Sequence, residues 1–245
     1  MEYNASVSND SFRHECMGKL CAQIMEDTRL EDRVIRAAKM AGAVQRTKMM
    51  DYTVKTHVKY LPMQVIRDKY QDREKHLGYC KHCPRYGKKW SCPPLSIDEE
   101  AFLGQYAWVY LVCSKIELDS ELIKQKDTPE KIKAMGWEIM SAVKLDVDAK
   151  LRQLEDKLPG SVSLSATACN LCEECTRKDG GICRQPDKLR YAIDAFGFTI
   201  VELTKDLFNI DILWSSDHLP EYYTLVHGFL TREEVTESLW QGIAR

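Results

Sequence analysis

Hydrophobic positions recur every three or four residues through the middle of the chain, at Ile132, Met135, Ile139, Val143, Val147, Leu151, Leu154 and Leu158. That spacing stacks apolar side chains on one face and predicts a long amphipathic helix. Thr128-Pro129-Glu130 opens it with proline at the tolerated first position, and Pro159-Gly160 stops it. Before it, Ala107–Cys113 is a compact apolar run that reads as a buried strand. After it, Val162, Leu164, Ala166 and Ala168 alternate with polar residues, the period of a half-buried strand. Strand, long helix and strand predict a βαβ unit in a mixed sheet, with a right-handed crossover.

Other segments give shorter patterns. Leu30, Val34, Ile35, Ala38 and Ala41 are spaced as one helix face within Leu30–Met50. Tyr52–Ile66 is rich in β-branched residues, with a strand expected near Pro62–Ile66. Ser96-Ile-Asp-Glu99 is a capping-box sequence after Pro93-Pro94 and predicts a short helix. Pro186–Phe196 reads as a helix closed by Gly197. Phe198–Leu203 and Tyr222–Phe229 read as further strands, and Thr231-x-x-Glu234 as the start of a terminal helix. The expected fold class is α+β. A helical extension covers residues 1–51, a cysteine-rich metal-binding domain 52–230, and a C-terminal helix 231–245.

Composition narrows the function classes. The chain has 245 residues, 44% of them apolar and 29% charged, as in an ordinary soluble globular protein. A formal charge of -2 exerts no overall pull on nucleic acid or anionic lipid. The longest apolar run is too short to span a bilayer, so no membrane partner is expected. The opening MEYNASVSNDSFRHE is polar and mixed in charge, unlike a secretory or transit signal, and a cytoplasmic location is expected.

The ten cysteines change the picture. Seven fall into two tight clusters, Cys80/Cys83/Cys92 and Cys169/Cys172/Cys175/Cys183. Disulfides do not persist in a reducing compartment, and thiolates at two-residue gaps suit chelation. Of the others, Cys113 reads as a small core residue, and Cys16 and Cys21 as residues of a helical segment.

The second cluster supplies three thiolates from one loop and a fourth from a return turn at Asp179-Gly180-Gly181. Cys-x2-Cys-x2-Cys is the run that bacterial ferredoxins use for [4Fe–4S] clusters, whereas zinc is more often held by two separated pairs. The iron–sulfur reading leads, with zinc second and disulfides third. Arg177, Lys178 and Arg184 would offset the charge of thiolates, whereas Glu173 and Glu174 read as solvated loop residues.

The first cluster offers three cysteines. Three uses stay open: a zinc site completed by His76 or His82, an open-site cluster acting as a Lewis acid, or a loop that helps enclose the second cluster. Both histidines read as surface residues rather than ligands. Arg85, Lys88 and Lys89 make this loop basic and suited to a small anionic or sulfur-containing ligand, while Tyr86 and Trp90 could shield a cluster from water. Contact with nucleic acid ranks well behind these readings.

The pairing of C-x2-C-x2-Y-G-x2-W-x-C-P-P (Cys80–Pro94) with C-x2-C-x2-C and C-R-x-P (Cys169–Pro186) resembles the predicted metal-binding family of unknown function 2284. The resemblance runs from about Pro62 to about Phe229. Asp194-Ala-Phe-Gly197 resembles that family's acidic-Ala-x-Gly segment, where glutamate is more usual. The resemblance implies a metal centre in a small cysteine-rich protein of bacteria and archaea, often anaerobes, and supplies no reaction. Three functions follow from the residues: an electron carrier or redox accessory to a partner protein, an enzyme with an open iron on Cys80, Cys83 and Cys92, or a zinc-stabilised binding module. No G-x-G-x-x-G, P-loop or H-E-x-x-H is present, so nucleotide and zinc-protease chemistries lack a motif.

Overall fold

In the computed structural model, which describes residues 52–125, 127–216 and 218–243, the chain opens on strand β1 (Tyr52–Pro62) and passes directly into helices α1 (Met63–Tyr70) and α2 (Arg73–His82). The helix expected within Leu30–Met50, with Cys16 and Cys21, lies outside the described residues. The strand expected near Pro62–Ile66 is corrected: strand ends at Pro62 and α1 takes over. Met63, Ile66 and Tyr70 are buried at helical spacing, and that packing outweighs the β-branched content of the segment.

After the first cysteine motif come α3 (Glu99–Leu103), β2 (Trp108–Leu118), α4 (Ser120–Ile123) and the long α5 (Pro129–Lys157). The capping residue of α3 is Asp98, which accepts from the Ala101 N–H at 3.0 Å, rather than Ser96. Strand β3 (Val162–Leu164), helix α6 (Ile200–Phe208) and strand β4 (Tyr222–Thr231) complete the main elements.

The four strands lie in the order β1-β2-β4-β3, and every neighbouring pair is antiparallel. The mixed sheet and simple βαβ unit are therefore corrected. The strand–helix–strand unit forms, but β4 inserts between β2 and β3 and splits it, a long-range pairing that periodicity does not reveal.

Alternation in β2 sends its side chains to two cores. Tyr110, Val112 and Ile116 pack with Ile132, Ile139, Val143, Val147 and Leu151 of α5. Val109, Leu111 and Cys113 point to the other face, against Met63, Ile66, Leu103, Phe196 and Phe198. Each such fully buried side chain contributes about 1.5–3 kcal/mol of transfer free energy. The first cysteine motif begins at the end of α2, and the second follows the edge strand β3.

Three further expectations change. Phe198–Leu203 is largely α6 and not a strand, because Ile200, Leu203 and Leu207 pack into the core at helical spacing. Pro186–Phe196 is not one helix but two 3-10 turns, Pro186–Lys188 and Ile193–Phe196, separated by extended residues. Gly197 does close the second turn, in the left-handed conformation at φ 82°. The expected terminal α-helix is replaced, among the described residues, by a 3-10 turn, Glu237–Trp240. Thr231 ends β4 instead, and Trp240 stacks on Tyr110 with ring centroids 4.9 Å apart.

Candidate metal centre

The chain leaves α2 at His82, and Cys83 caps it in an extended conformation, its N–H bonded to the Cys80 carbonyl at 2.9 Å. Gly87, at φ 68°, then reverses the loop, and its N–H reaches the Pro93 carbonyl at 2.9 Å. The loop therefore returns Ser91 and Cys92 to the body of the protein. On the other motif, Cys175 leads into the 3-10 turn Thr176–Asp179, closed by Gly180 at φ 73°. Gly181 N–H bonds the Thr176 carbonyl at 2.9 Å, and Thr176 Oγ1 donates to the Ile182 carbonyl at 2.6 Å. The return turn expected at Asp179–Gly181 is formed, and it brings Cys183 back.

Cys169, Cys172, Cys175 and Cys183 line one open cavity of about 340 Å³. Lys89 and Trp90 of the first motif form part of the same wall, as do Arg184 and Gln185. The backbone N–H of Gln185 approaches Cys183 Sγ at 3.4 Å, and its side-chain amide approaches Cys172 Sγ at 3.6 Å. Trp90 Nε1 is buried with no hydrogen-bond partner. An orphan donor on a residue of that wall is a polar group that the protein itself leaves unsatisfied. Among the described residues, no three His, Cys, Asp or Glu side chains meet as a group that could hold a single ion. Among the described residues, no disulfide joins any of the eight cysteines.

The two motifs are locked together. Ser91 is fully buried, and its Oγ accepts from the Cys169 N–H at 2.7 Å. Arg177 donates through Nη1 to the carbonyls of Lys89 and Cys92, each at 2.7 Å, and through Nη2 to that of Pro94. Its guanidinium also lies over the Trp90 ring, 5.0 Å from the centroid. Arg177, expected as a countercharge, thus acts as a clamp on the first loop. Lys178 and Glu174 pair with one another at 3.1 Å.

Burial pushes the Cys92 thiol up to about 12, with the Asp194 carboxylate adding to the rise and Ser91 and Arg85 opposing it, although the residue keeps partial surface access. Cys113, in the core as expected, is pushed up to about 12 by burial alone. Burial also raises Cys169, against the Leu171 N–H, Lys144 and Lys89. These sulfurs resist carrying charge by themselves, so any thiolate here calls for a positive partner.

Cys80 and Cys83 stay at the end of α2, outside the wall of the cavity. The turn carrying Asp194 packs on α2, and Ala192 N–H bonds the Ser91 carbonyl at 3.0 Å. Asp194 keeps an exposed edge, while burial of the rest raises its carboxyl against the pull of backbone N–H groups, His76 and Arg85. His76 and His82 each direct Nδ1 to the carbonyl four residues earlier, Asp72 and Gly78, at 2.8 Å. Arg85 lies over the Trp137 ring at 4.6 Å from the centroid, and Lys88 is exposed. Neither Lys88 nor Tyr86 reaches the cavity.

Several site residues escaped the sequence reading. Ser91 and Gln185 carry no motif of their own. Lys144 and Asp148, buried on α5, pair at 2.7 Å, and Lys144 also donates to Asn170 Oδ1 at 3.1 Å, next to Cys169. Burial pushes the Asp148 carboxyl up, but His227 and Lys144 outweigh it and hold it well below the usual carboxylate range. Burial keeps the His227 ring neutral, and its Nε2 lies 3.4 Å from Asp148 Oδ1 without a well-formed hydrogen bond. Lys144 and Asp148 directly follow Val143 and Val147 of the apolar stripe, and that four-residue spacing beside it was the available signal.

Comparison with known proteins finds a family match. The model for the predicted metal-binding protein (DUF2284) matches residues 65–227. That is more than half of the chain, and both cysteine motifs lie within it, so the chain belongs to this family. No curated protein and no solved structure matches. No helix among the described residues is long and apolar enough to cross a membrane.

Proposed function

We propose that this member of the predicted metal-binding family is a [4Fe–4S] protein that exchanges electrons with a partner protein, its cluster held by Cys169, Cys172, Cys175 and Cys183. One observation carries the reading: all four thiols of the second motif line a single cavity whose wall also holds the unpaired Trp90 N–H. Thiols spread around a cavity suit a body with several corners, as does the Cys-x2-Cys-x2-Cys spacing. When bound, such a cluster supplies reversible one-electron transfer.

The chain's own residues set the conditions for it. Gln185 aims two N–H groups at Cys183 and Cys172, and Lys89 and Arg184 add positive charge to the wall. N–H donors and cations both stabilise thiolates and raise a reduction potential. Trp90, held by the Arg177 clamp, excludes water from that side. On this reading the first motif is chiefly the cover of the site. A reducing cytoplasm, in a cell that limits oxygen, would keep the thiols free.

A second reading, an enzyme with its own centre on Cys80, Cys83 and Cys92, is favoured by Cys80 and Cys83 lying together at the end of α2, where the Cys83 N–H bonds the Cys80 carbonyl. Anaerobic reductive titration followed by visible absorption and EPR tests the first reading. A single reversible one-electron step, lost in Cys172→Ala and kept in Cys80→Ala, is expected. A colour that no biological reductant bleaches would sink the electron-transfer role.

A further inference from the structure

Lys144, Asp148, Arg152 and Glu155 follow one another at three- and four-residue steps, which puts them on one face of α5. That polar face lies against β3 and the loop leading to Cys169. Glu155 accepts from the Ser163 N–H at 2.6 Å and from Arg190 Nε at 2.8 Å. Asp148 accepts from Ser165 Oγ at 2.9 Å and from Lys144 at 2.7 Å. Between these contacts lies an open cleft ringed by Lys144, Arg152, Lys188 and Arg190, with Asp148, Ser165 and Cys169 in its wall.

The charges around this cleft do not cancel. Glu155 satisfies Arg190, and Asp148 satisfies Lys144. No acidic group among the described residues pairs with Arg152 or Lys188, so the ring has a positive excess. An ammonium has three donors, and Lys144 uses two of them, on Asp148 and Asn170. A half-buried guanidinium, a lysine at the mouth and a buried ammonium facing one space is the donor set that recognises an oxyanion. A merely solvated face would not bury Lys144 to 4% exposure at the cleft.

We infer that this cleft binds a small dianionic oxyanion, of phosphate or dicarboxylate type, beside Cys169. Cys169 and Leu171 belong to the walls of both cavities, so a bound anion would lie next to the thiol-lined site. The inference does not depend on which metal the thiols hold.

Calorimetric titration of the full-length, anaerobically purified protein tests it, with inorganic phosphate and malonate as separate probes in chloride of matched ionic strength. Saturable binding of at least one probe is expected, weakened tenfold or more in an Arg152→Gln/Lys188→Gln double variant. Among the described residues neither side chain has a pairing partner to lose, so the variant should keep the wild-type metal content and melting temperature. Phosphate alone, malonate alone or both binding would each support the site and set its preference. No saturable binding by either probe, or equal binding by the variant, would overturn it, whatever the metal analysis shows.

Discussion

The backbone N–H of Cys169 donates to Ser91 Oγ at 2.7 Å, joining the first cysteine motif to the first thiol of the second. Ser91 is fully buried, so its hydroxyl has no water to replace the partner. Ser91→Ala leaves that N–H unpaired and should cost about 1–3 kcal/mol of stability. Denaturant unfolding of the full chain measures it. A loss below about 0.5 kcal/mol, the size of an ordinary surface change, would contradict the buried link.

Arg177 ties the first loop down through three carbonyls. Arg177→Lys keeps the charge and loses the fork, so it should not restore the clamp. Faster amide hydrogen exchange across residues 85–94 is expected in both Arg177→Lys and Arg177→Ala, with little change in α5. Wild-type exchange in the lysine variant would show that charge alone suffices.

Gly197 turns the chain at φ 82°, and a Cβ there would lie 2.7 Å from Arg73 Cα. Both conformation and space exclude a side chain. Gly197→Ala should cost more than about 1 kcal/mol and loosen the turn carrying Asp194 against α2. An unchanged melting curve would contradict this packing.

The fold was legible where neighbours in sequence are also neighbours in space. The α5 stripe, the apolar run of β2, the Asp179–Gly181 reversal and the left-handed Gly197 all follow from local spacing or backbone chemistry. The grouping of four cysteines was legible for the same reason. Long-range relationships were not: β4 enters between β2 and β3 from more than a hundred residues after β2. Ser91 and Arg177 each act on partners across the other motif, so neither looked special within its own segment. Thr199-Ile-Val misled as strand, because its helical packing depends on a core that local composition does not describe.

His227 is fully buried and its ring is held neutral, its pKa lowered by burial against the raising effect of Asp148. The unfolded chain takes up a proton below its ordinary value of about 6.5, while the folded one resists. This contribution is therefore complete above about pH 6.5 and is lost as pH falls toward the depressed folded value. Melting temperatures recorded from pH 7.5 down to 5.0 should decline in the wild type and decline less steeply in His227→Gln. Parallel slopes would show that His227 is not responsible.

Iron, acid-labile sulfide and zinc per chain, measured on anaerobically purified protein and on Cys172→Ala and Cys80→Ala variants, test the central claim most directly. About four iron and four sulfide per chain are expected in the wild type and in Cys80→Ala, with loss of both in Cys172→Ala. Folded, colourless protein that carries tightly bound zinc and no iron would contradict the account.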